Sequence, residues 1–176
     1  HVFDSLDLCL SCKGCKGECP VNVDMASYKA EFLSHYYEGR LRPRHAYSMG
    51  LIMYWARLAS KIPHLAILAT RTPGLANLVK AAGGISQRRS MPKFATRTFK
   101  EWFRTHTPKN TGGPKVILWP DTFNNYFHPR TAQAAVEVLE AAGYHVLVPR
   151  KDLCCGRPLY DFGMLNTAER MLATTL

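Results

Sequence analysis

Four of the six cysteines, Cys9, Cys12, Cys15 and Cys19, fall within eleven consecutive residues, and no other feature of the chain constrains its folding as strongly. The segment 1–22 that carries them is rich in cysteine, glycine and lysine. It is too poor in apolar residues to pack by itself, so something other than a hydrophobic core must order it. The remaining two cysteines, Cys154 and Cys155, are adjacent. Thiols gathered in two tight places are not spread as a disulfide framework would spread them.

The spacing C-x2-C-x2-C-x3-C, closed by Pro20, is the run that holds a [4Fe–4S] cluster in bacterial ferredoxins. Each iron of such a cube takes one thiolate beside its sulfides, and a loop with a cysteine at every third position wraps ligands around one small object. Gly14 and Gly17 are expected to let the backbone curl close and turn its amides toward the sulfurs. Lys13 and Lys16 offset the negative charge of the cluster, and Pro20 turns the chain away. The rivals are zinc and a metal-free cysteine cluster. Zinc sites usually place two C-x2-C pairs well apart, which this compact run does not do. In two-cluster ferredoxins the fourth cysteine of the run serves the other cluster, so Cys19 has two assignments, the cube of its three neighbours or a second one.

The second cysteine site, Leu153-Cys154-Cys155-Gly156, follows a predicted strand in a turn. Adjacent side chains cannot easily both point inward, and Gly156 permits a tight bend. A site lining a strand end and a pair of small buried residues are both compatible with this pattern.

Between the cysteine sites the pattern changes once. A helix is predicted from Asp24, with Met25, Tyr28, Phe32 and Tyr36 at helical spacing and Gly39 as its stop. Pro43 suits the first turn of the next helix, whose apolar face is Tyr47, Leu51, Tyr54, Trp55 and Leu58, before Pro63 interrupts. The aromatic stripe from Tyr47 to Trp55 reads as core. Short helices over 64–69 and 75–82 follow, and another near 95–104 carries Phe99, Trp102 and Phe103. Residues 105–114, THTPKNTGGP, read as a linker. Beyond them 115–119 suits a buried strand, 129–142 a helix with Ala132, Ala135, Val136 and Leu139 inward, 144–148 a second strand, and Met164 to Leu172 a last helix. Strand, helix, strand, helix argues for a parallel α/β layer. The expected class is α plus α/β: an N-terminal all-helical ferredoxin-like domain over 1–104, then the start of a parallel α/β domain over 115–176.

Charge narrows the function classes. Lysine and arginine total 23 against 13 acidic residues, for a formal charge of +10. Eight of the positive residues lie between Arg88 and Lys115, against the lone Glu101. A solvated face, contact with a partner, flavin domain or membrane surface, and nucleic-acid binding through the interleaved aromatics all fit such a segment. No apolar stretch reaches the length of a membrane span, and the first residues, HVFDSLDLC, carry neither a basic n-region nor an apolar signal core. A cytoplasmic location is expected, with peripheral attachment at the inner membrane compatible. The sequence starts without Met at the cysteine motif and stops inside a predicted helix, so a piece of a longer protein is expected.

The ferredoxin-type run, the helical stretch and the final CCG motif together resemble the iron–sulfur part of FAD-linked 2-hydroxy-acid oxidoreductases. In these a flavin domain precedes a two-cluster ferredoxin-like domain and a cysteine-rich CCG module. Glycolate oxidase iron–sulfur subunits, the small electron-transfer subunit of anaerobic glycerol-3-phosphate dehydrogenase and heterodisulfide reductase share these modules. The segments LCLSCKGCKGECPVNVDM, YKAEFLSHYYEGRLRPRHAY, WPDTFNNYFHP and LCCGRPLYDFG look most like the large fused flavoproteins of the D-2-hydroxyglutarate or D-lactate dehydrogenase type. The resemblance covers nearly the whole chain. It departs from the family at Thr122, separated from Cys154 by 31 residues, where the CCG module carries an earlier cysteine, and no later C-x2-C is present.

What the resemblance implies is an iron–sulfur electron-transfer segment. Single electrons would pass from a flavin, held in an upstream domain or a separate subunit, through the cluster on Cys9, Cys12, Cys15 and Cys19 to a quinone or electron carrier. FAD is expected only in the missing upstream part, and no catalytic acid or base is needed in this chain. His35, His45, His64, His106, His128 and His145 read as ordinary packed or solvated residues. The alternatives are a stand-alone ferredoxin-like carrier and a basic nucleic-acid-binding module with a zinc site. The leading reading includes no nucleic acid among the partners.

Overall fold

The computed structural model describes residues 1–175. The helices are, in order, α1 (Val2–Asp7), α2 (Gly14–Glu18), α3 (Met25–Tyr36), α4 (Arg44–Gly50), α5 (Ile52–Lys61), α6 (Pro63–Arg71), α7 (Leu75–Ala82) and α8 (Phe99–Thr105). Strand β1 (Lys115–Ile117), helices α9 (Thr122–Tyr126) and α10 (Pro129–Ala141), strand β2 (His145–Leu147), and helices α11 (Arg157–Asp161) and α12 (Leu165–Thr175) complete the described residues. They form two compact units, one of residues 1–51 with 156–174, the other of residues 52–155 with Thr175.

The first unit is helical. Asp24 caps α3, its carboxylate accepting the Ser27 amide at 3.0 Å, which gives one of the free amides at that helix start a side-chain partner. Its inward face is Ala26, Ala30 and Leu33, all buried. The aromatic residues at helical spacing do not make this face: Tyr28 is exposed, and Tyr36 stacks with Phe32 at 5.7 Å between ring centroids. Small residues face inward because α11 packs closely there. Gly163, at φ +65°, closes the approach: a Cβ at this position would stand 2.6 Å from Leu33 Cβ and from the Ser34 amide nitrogen. Arg42 ties the same turn, its Nε donating to the Phe162 carbonyl at 3.2 Å and a terminal nitrogen to that of Gly163 at 2.7 Å.

The expected single helix after Pro43 is two. Helix α4 has its C-cap at Leu51 and α5 begins at Ile52, and Pro43 is the N-cap of α4. The aromatic stripe expected as core is surface: Tyr47 is 36%, Tyr54 46% and Trp55 49% exposed. The buried positions of α5 are Met53 and Ala56. An aromatic period reports amphipathicity, but which face turns inward depends on what packs there.

In the second unit β1 and β2 pair in parallel, with Val116 opposite Val146. Parallel pairing needs a long crossover, and α9 and α10 lie within it. Phe99, Ala132, Val136 and Val146 form the buried centre, with Trp102, Phe103, Leu118, Leu139 and Val148 around it. Of the predicted inward face of α10, Ala132, Val136 and Leu139 lie in or against this centre, while Ala135 is only half-buried and outside it. A second cluster joins Ala56 to Tyr126 and Phe127. The expectation of a mainly helical chain with a small parallel α/β element holds, with two strands of three residues each.

Candidate metal centre

The cysteine loop is ordered by backbone turns and long-range polar contacts, as its lack of apolar residues requires. Ser11 (φ 54°), Lys13 (φ 63°) and Asn22 (φ 54°) take left-handed conformations there. Gly14 and Gly17, expected to supply the curl, lie instead in the short helix α2. A side chain on Gly14 would sit 3.6 Å from Cys12 Sγ, so its smallness matters through proximity to that thiol.

None of the six cysteines forms a disulfide. Cys9, Cys15 and Cys19 are half-buried and Cys12 is exposed. The Ser11 amide donates to Cys9 Sγ at 3.4 Å. Around Cys19 the amide of Val23, then that of Val21, holds the thiol below its ordinary pKa against the opposing effect of burial, and the Asn22 amide adds to this. Hydrogen bonds to the charged form favour the thiolate, which is the ligating species. No group of three or more cysteine, histidine or acidic side chains stands close enough to hold one ion among the described residues. The loop therefore presents its thiols without gathering them; gathering them is the work that metal–sulfur bonds would do. By chemistry the donors suit a soft, thiolate-bound iron–sulfur centre: four free thiols, with N–H groups directed at sulfur.

The charges near the loop are arranged differently from the sequence expectation. Lys13 and Lys16 approach Asp24 Oδ2 at 3.3 and 3.9 Å, so part of their charge is spent on the cap of α3. Pro20 follows Cys19 into a turn. The loop's own carbonyls are held by residues the motif does not contain. Lys29 Nζ donates to the Cys9 carbonyl at 2.7 Å, and the Arg157 guanidinium donates to the Ser11 carbonyl. Tyr160 donates to Ser27 Oγ at 2.7 Å and lies under Lys13 Nζ at 5.3 Å from its ring centroid. A cation four or five residues into a capped helix was the available signal for Lys29; nothing in the sequence marks Arg157.

At the second cysteine site Cys154 is buried and Cys155 exposed, as adjacent side chains on an extended segment alternate. Gly156, at φ +73°, is the left-handed N-cap of α11. The irregular segment that leads here from β2 is fixed by Asp152, whose carboxylate accepts from Lys100 Nζ and from the Tyr126 hydroxyl, both at 3.0 Å. Burial pushes the Asp152 carboxyl up, but the hydrogen bond and charge of Lys100, with Tyr126 and Arg57, outweigh it and hold the group below the usual range. Burial, with the Asp152 charge beside it, raises the Tyr126 phenol far above its ordinary value. Thr122 starts α9 and is buried; its hydroxyl has no hydrogen-bond partner among the described residues.

Of the seven histidines, His106 makes the firmest contact, 2.9 Å from buried Glu140. Part of the basic segment is internally committed. Lys100 binds Asp152, and a terminal nitrogen of Arg97 donates to the Glu101 carbonyl at 3.0 Å. No helix among the described residues is long and apolar enough to cross a membrane.

Residues 121–176 match the model of the CCG cysteine-rich domain. The curated proteins the chain resembles include dehydrogenases and a lactate utilization protein. One subunit of the anaerobic glycerol-3-phosphate dehydrogenase of Escherichia coli (strain K12) is 31% identical over 109 residues, covering 61% of this chain and 28% of that protein. D-2-hydroxyglutarate dehydrogenase from Pseudomonas putida (strain KT2440) is 26% identical over 186 aligned positions, 94% of this chain and 17% of that protein. Lactate utilization protein A from Bacillus velezensis (strain FZB42) is 34% identical over 58 residues, 33% of this chain and 24% of that protein. The chain thus spans under a third of the length of each. No solved structure matches it significantly. A CCG segment and similarity to these dehydrogenases agree with the resemblance drawn from the motifs, the iron–sulfur portion of FAD-linked oxidoreductases.

Proposed function

We propose that this chain is the iron–sulfur electron-transfer segment of a flavin-linked dehydrogenase that oxidises a 2-hydroxy acid, and that Cys9, Cys12, Cys15 and Cys19 hold a [4Fe–4S] cluster. The observation that carries the reading is the conjunction of four disulfide-free thiols at ferredoxin spacing with a CCG segment, in a chain similar over 94% of its length to a D-2-hydroxyglutarate dehydrogenase. When bound, the cluster supplies a site that accepts and releases one electron at a time. The chain's own work is to present thiolates, to direct the amides of Ser11, Val21, Asn22 and Val23 at sulfur, and to keep cations at the loop. Amide donors and nearby positive charge favour the more negative, reduced form and so raise the potential.

The flavin belongs to another domain or subunit of the same enzyme, and a quinone or soluble electron carrier takes the electrons onward. A second substrate reading has its own support. The similarity to a subunit of anaerobic glycerol-3-phosphate dehydrogenase, at 31% identity, would make the electron source a flavin that oxidises glycerol 3-phosphate. Cys154 and Cys155 stand outside the proposed cluster.

Anaerobic reconstitution with iron and sulfide tests the proposal. The loaded chain should show broad visible absorption that bleaches with dithionite, with iron and sulfide in equal amounts. Stoichiometric zinc, or colourless metal-free protein after the same treatment, would overturn it.

A further inference from the structure

The cysteine loop at the start of the chain is fastened by the segment that follows the CCG motif. We infer that Arg157 and Lys29 are positioning residues for the cluster loop: they clamp its carbonyls and set the stability and potential of the centre bound there. The inference rests on the proposed cluster at Cys9, Cys12, Cys15 and Cys19.

Both cations reach the loop from outside it. Lys29, on α3, donates to the Cys9 carbonyl at 2.7 Å. Arg157, at the first turn of α11, donates to the carbonyl of Ser11, which lies 146 residues away along the chain. The two carbonyls flank the stretch that presents Cys9 Sγ to the Ser11 amide. Ser11 is buried and left-handed, so its conformation needs support from its surroundings. Arg157 is itself aimed, because its Nε donates to Asp161 Oδ1 at 2.7 Å one turn along α11. Tyr160, on the same helix, is fixed by its hydrogen bond to Ser27 and lies against Lys13. Helix α11 therefore grips the loop at Ser11 and Lys13 and the start of α3 at Ser27.

A loop with no apolar core of its own holds its ligands only as rigidly as such contacts allow. Losing a charge-assisted hydrogen bond to a carbonyl frees the backbone between two ligands and removes a positive charge beside a negative cluster. Both effects act on the centre without touching iron. The contact also explains why a residue just past Cys155 bears on thiols near the other end of the chain. Arg157 retains 43% side-chain exposure, so its replacement leaves no buried void.

The test uses the full chain and three forms: the parent, Arg157→Gln and Arg157→Lys. In metal-free protein, amide hydrogen exchange over residues 9–15 should accelerate about tenfold in R157Q, the size expected for one hydrogen bond to a charged group, and return most of the way in R157K. In reconstituted protein, R157Q should lose iron to a chelator about tenfold faster by the same reasoning and titrate at a lower potential than the parent, with R157K restoring the potential. R157Q equal to the parent in loop exchange or in potential would overturn the inference. If the parent takes up no cluster, the cluster reading fails together with the assigned role in it, while exchange in the metal-free forms still reports whether the fastening exists. A circular dichroism spectrum unchanged in R157Q separates a loosened loop from a misfolded chain.

Discussion

At the scale of single residues, the loop shows how a closely spaced set of cysteines is built into a segment that cannot be ordered by burial. Its thiols are legible by spacing, its fastenings are not. Cys9, Cys12, Cys15 and Cys19 are visible as a pattern because a ligand set needs chemistry of one kind at short intervals. Lys29 is marked only faintly, by its place early in a capped helix, and Arg157 not at all, because each acts on a main-chain carbonyl, which any sequence supplies. Two residues of the second unit give direct predictions, and that unit holds all three tryptophans, Trp55, Trp102 and Trp119. Thr122 buries a hydroxyl with no partner among the described residues, so Thr122→Val should raise stability by about 1 kcal/mol, read as a higher denaturant midpoint by tryptophan fluorescence. A lowered midpoint would contradict this.

Glu140 makes the corresponding case for pH. Burial pushes its carboxyl up, but the Lys109 amide at 3.0 Å and His106 Nε2 at 2.9 Å outweigh burial, and the group lies below the usual glutamate range. A carboxyl depressed in the folded state contributes stability that is complete above its unfolded pKa and is lost as pH falls through the folded one. The second unit should therefore weaken in the acid range below ordinary glutamate titration. Glu140→Gln should be less stable than the parent at neutral pH, and the difference should shrink in that acid window. Fluorescence-monitored melting across pH checks it; a difference independent of pH would refute the assignment.

At the scale of elements, local signals located most helices and misjudged what they face. Asp24, Pro63 and Gly143 punctuate α3, α6 and α10 as capping and turn chemistry requires. The inward face of α10 was legible because alanine and valine recur on one side of a long helix. The faces of α3 and α5 were not, because their aromatic residues mark amphipathicity while the partner helix selects small residues for close approach. The short helices α1, α2, α9 and α11 leave little trace in the sequence, since five or six residues give less than two turns of period. The close approach of the 163 turn to α3 is testable. Gly163→Ala adds a left-handed strain and a contact with backbone that cannot move aside, so it should cost about 3 kcal/mol. Faster hydrogen exchange in α3 would register the loss; a variant with parental protection would contradict so close an approach.

At the scale of the whole molecule, two compact units each carry part of the cysteine chemistry. The ferredoxin-type run belongs to the unit of residues 1–51 and 156–174, and Cys154 and Cys155 end the unit of residues 52–155. The chain therefore returns to the first unit immediately after the Cys154-Cys155 dipeptide, at Gly156. The chain spans under a third of the dehydrogenases it resembles, and the proposed function gives it the electron relay only.

The measurement that bears most directly on the central proposal is native mass spectrometry of the chain reconstituted without oxygen. One added [4Fe–4S] mass is predicted on the parent and on Cys155→Ser, with loss of that species in Cys12→Ser. A parent chain carrying zinc, or carrying nothing, or a cluster that survives in Cys12→Ser and disappears in Cys155→Ser, would contradict the proposal.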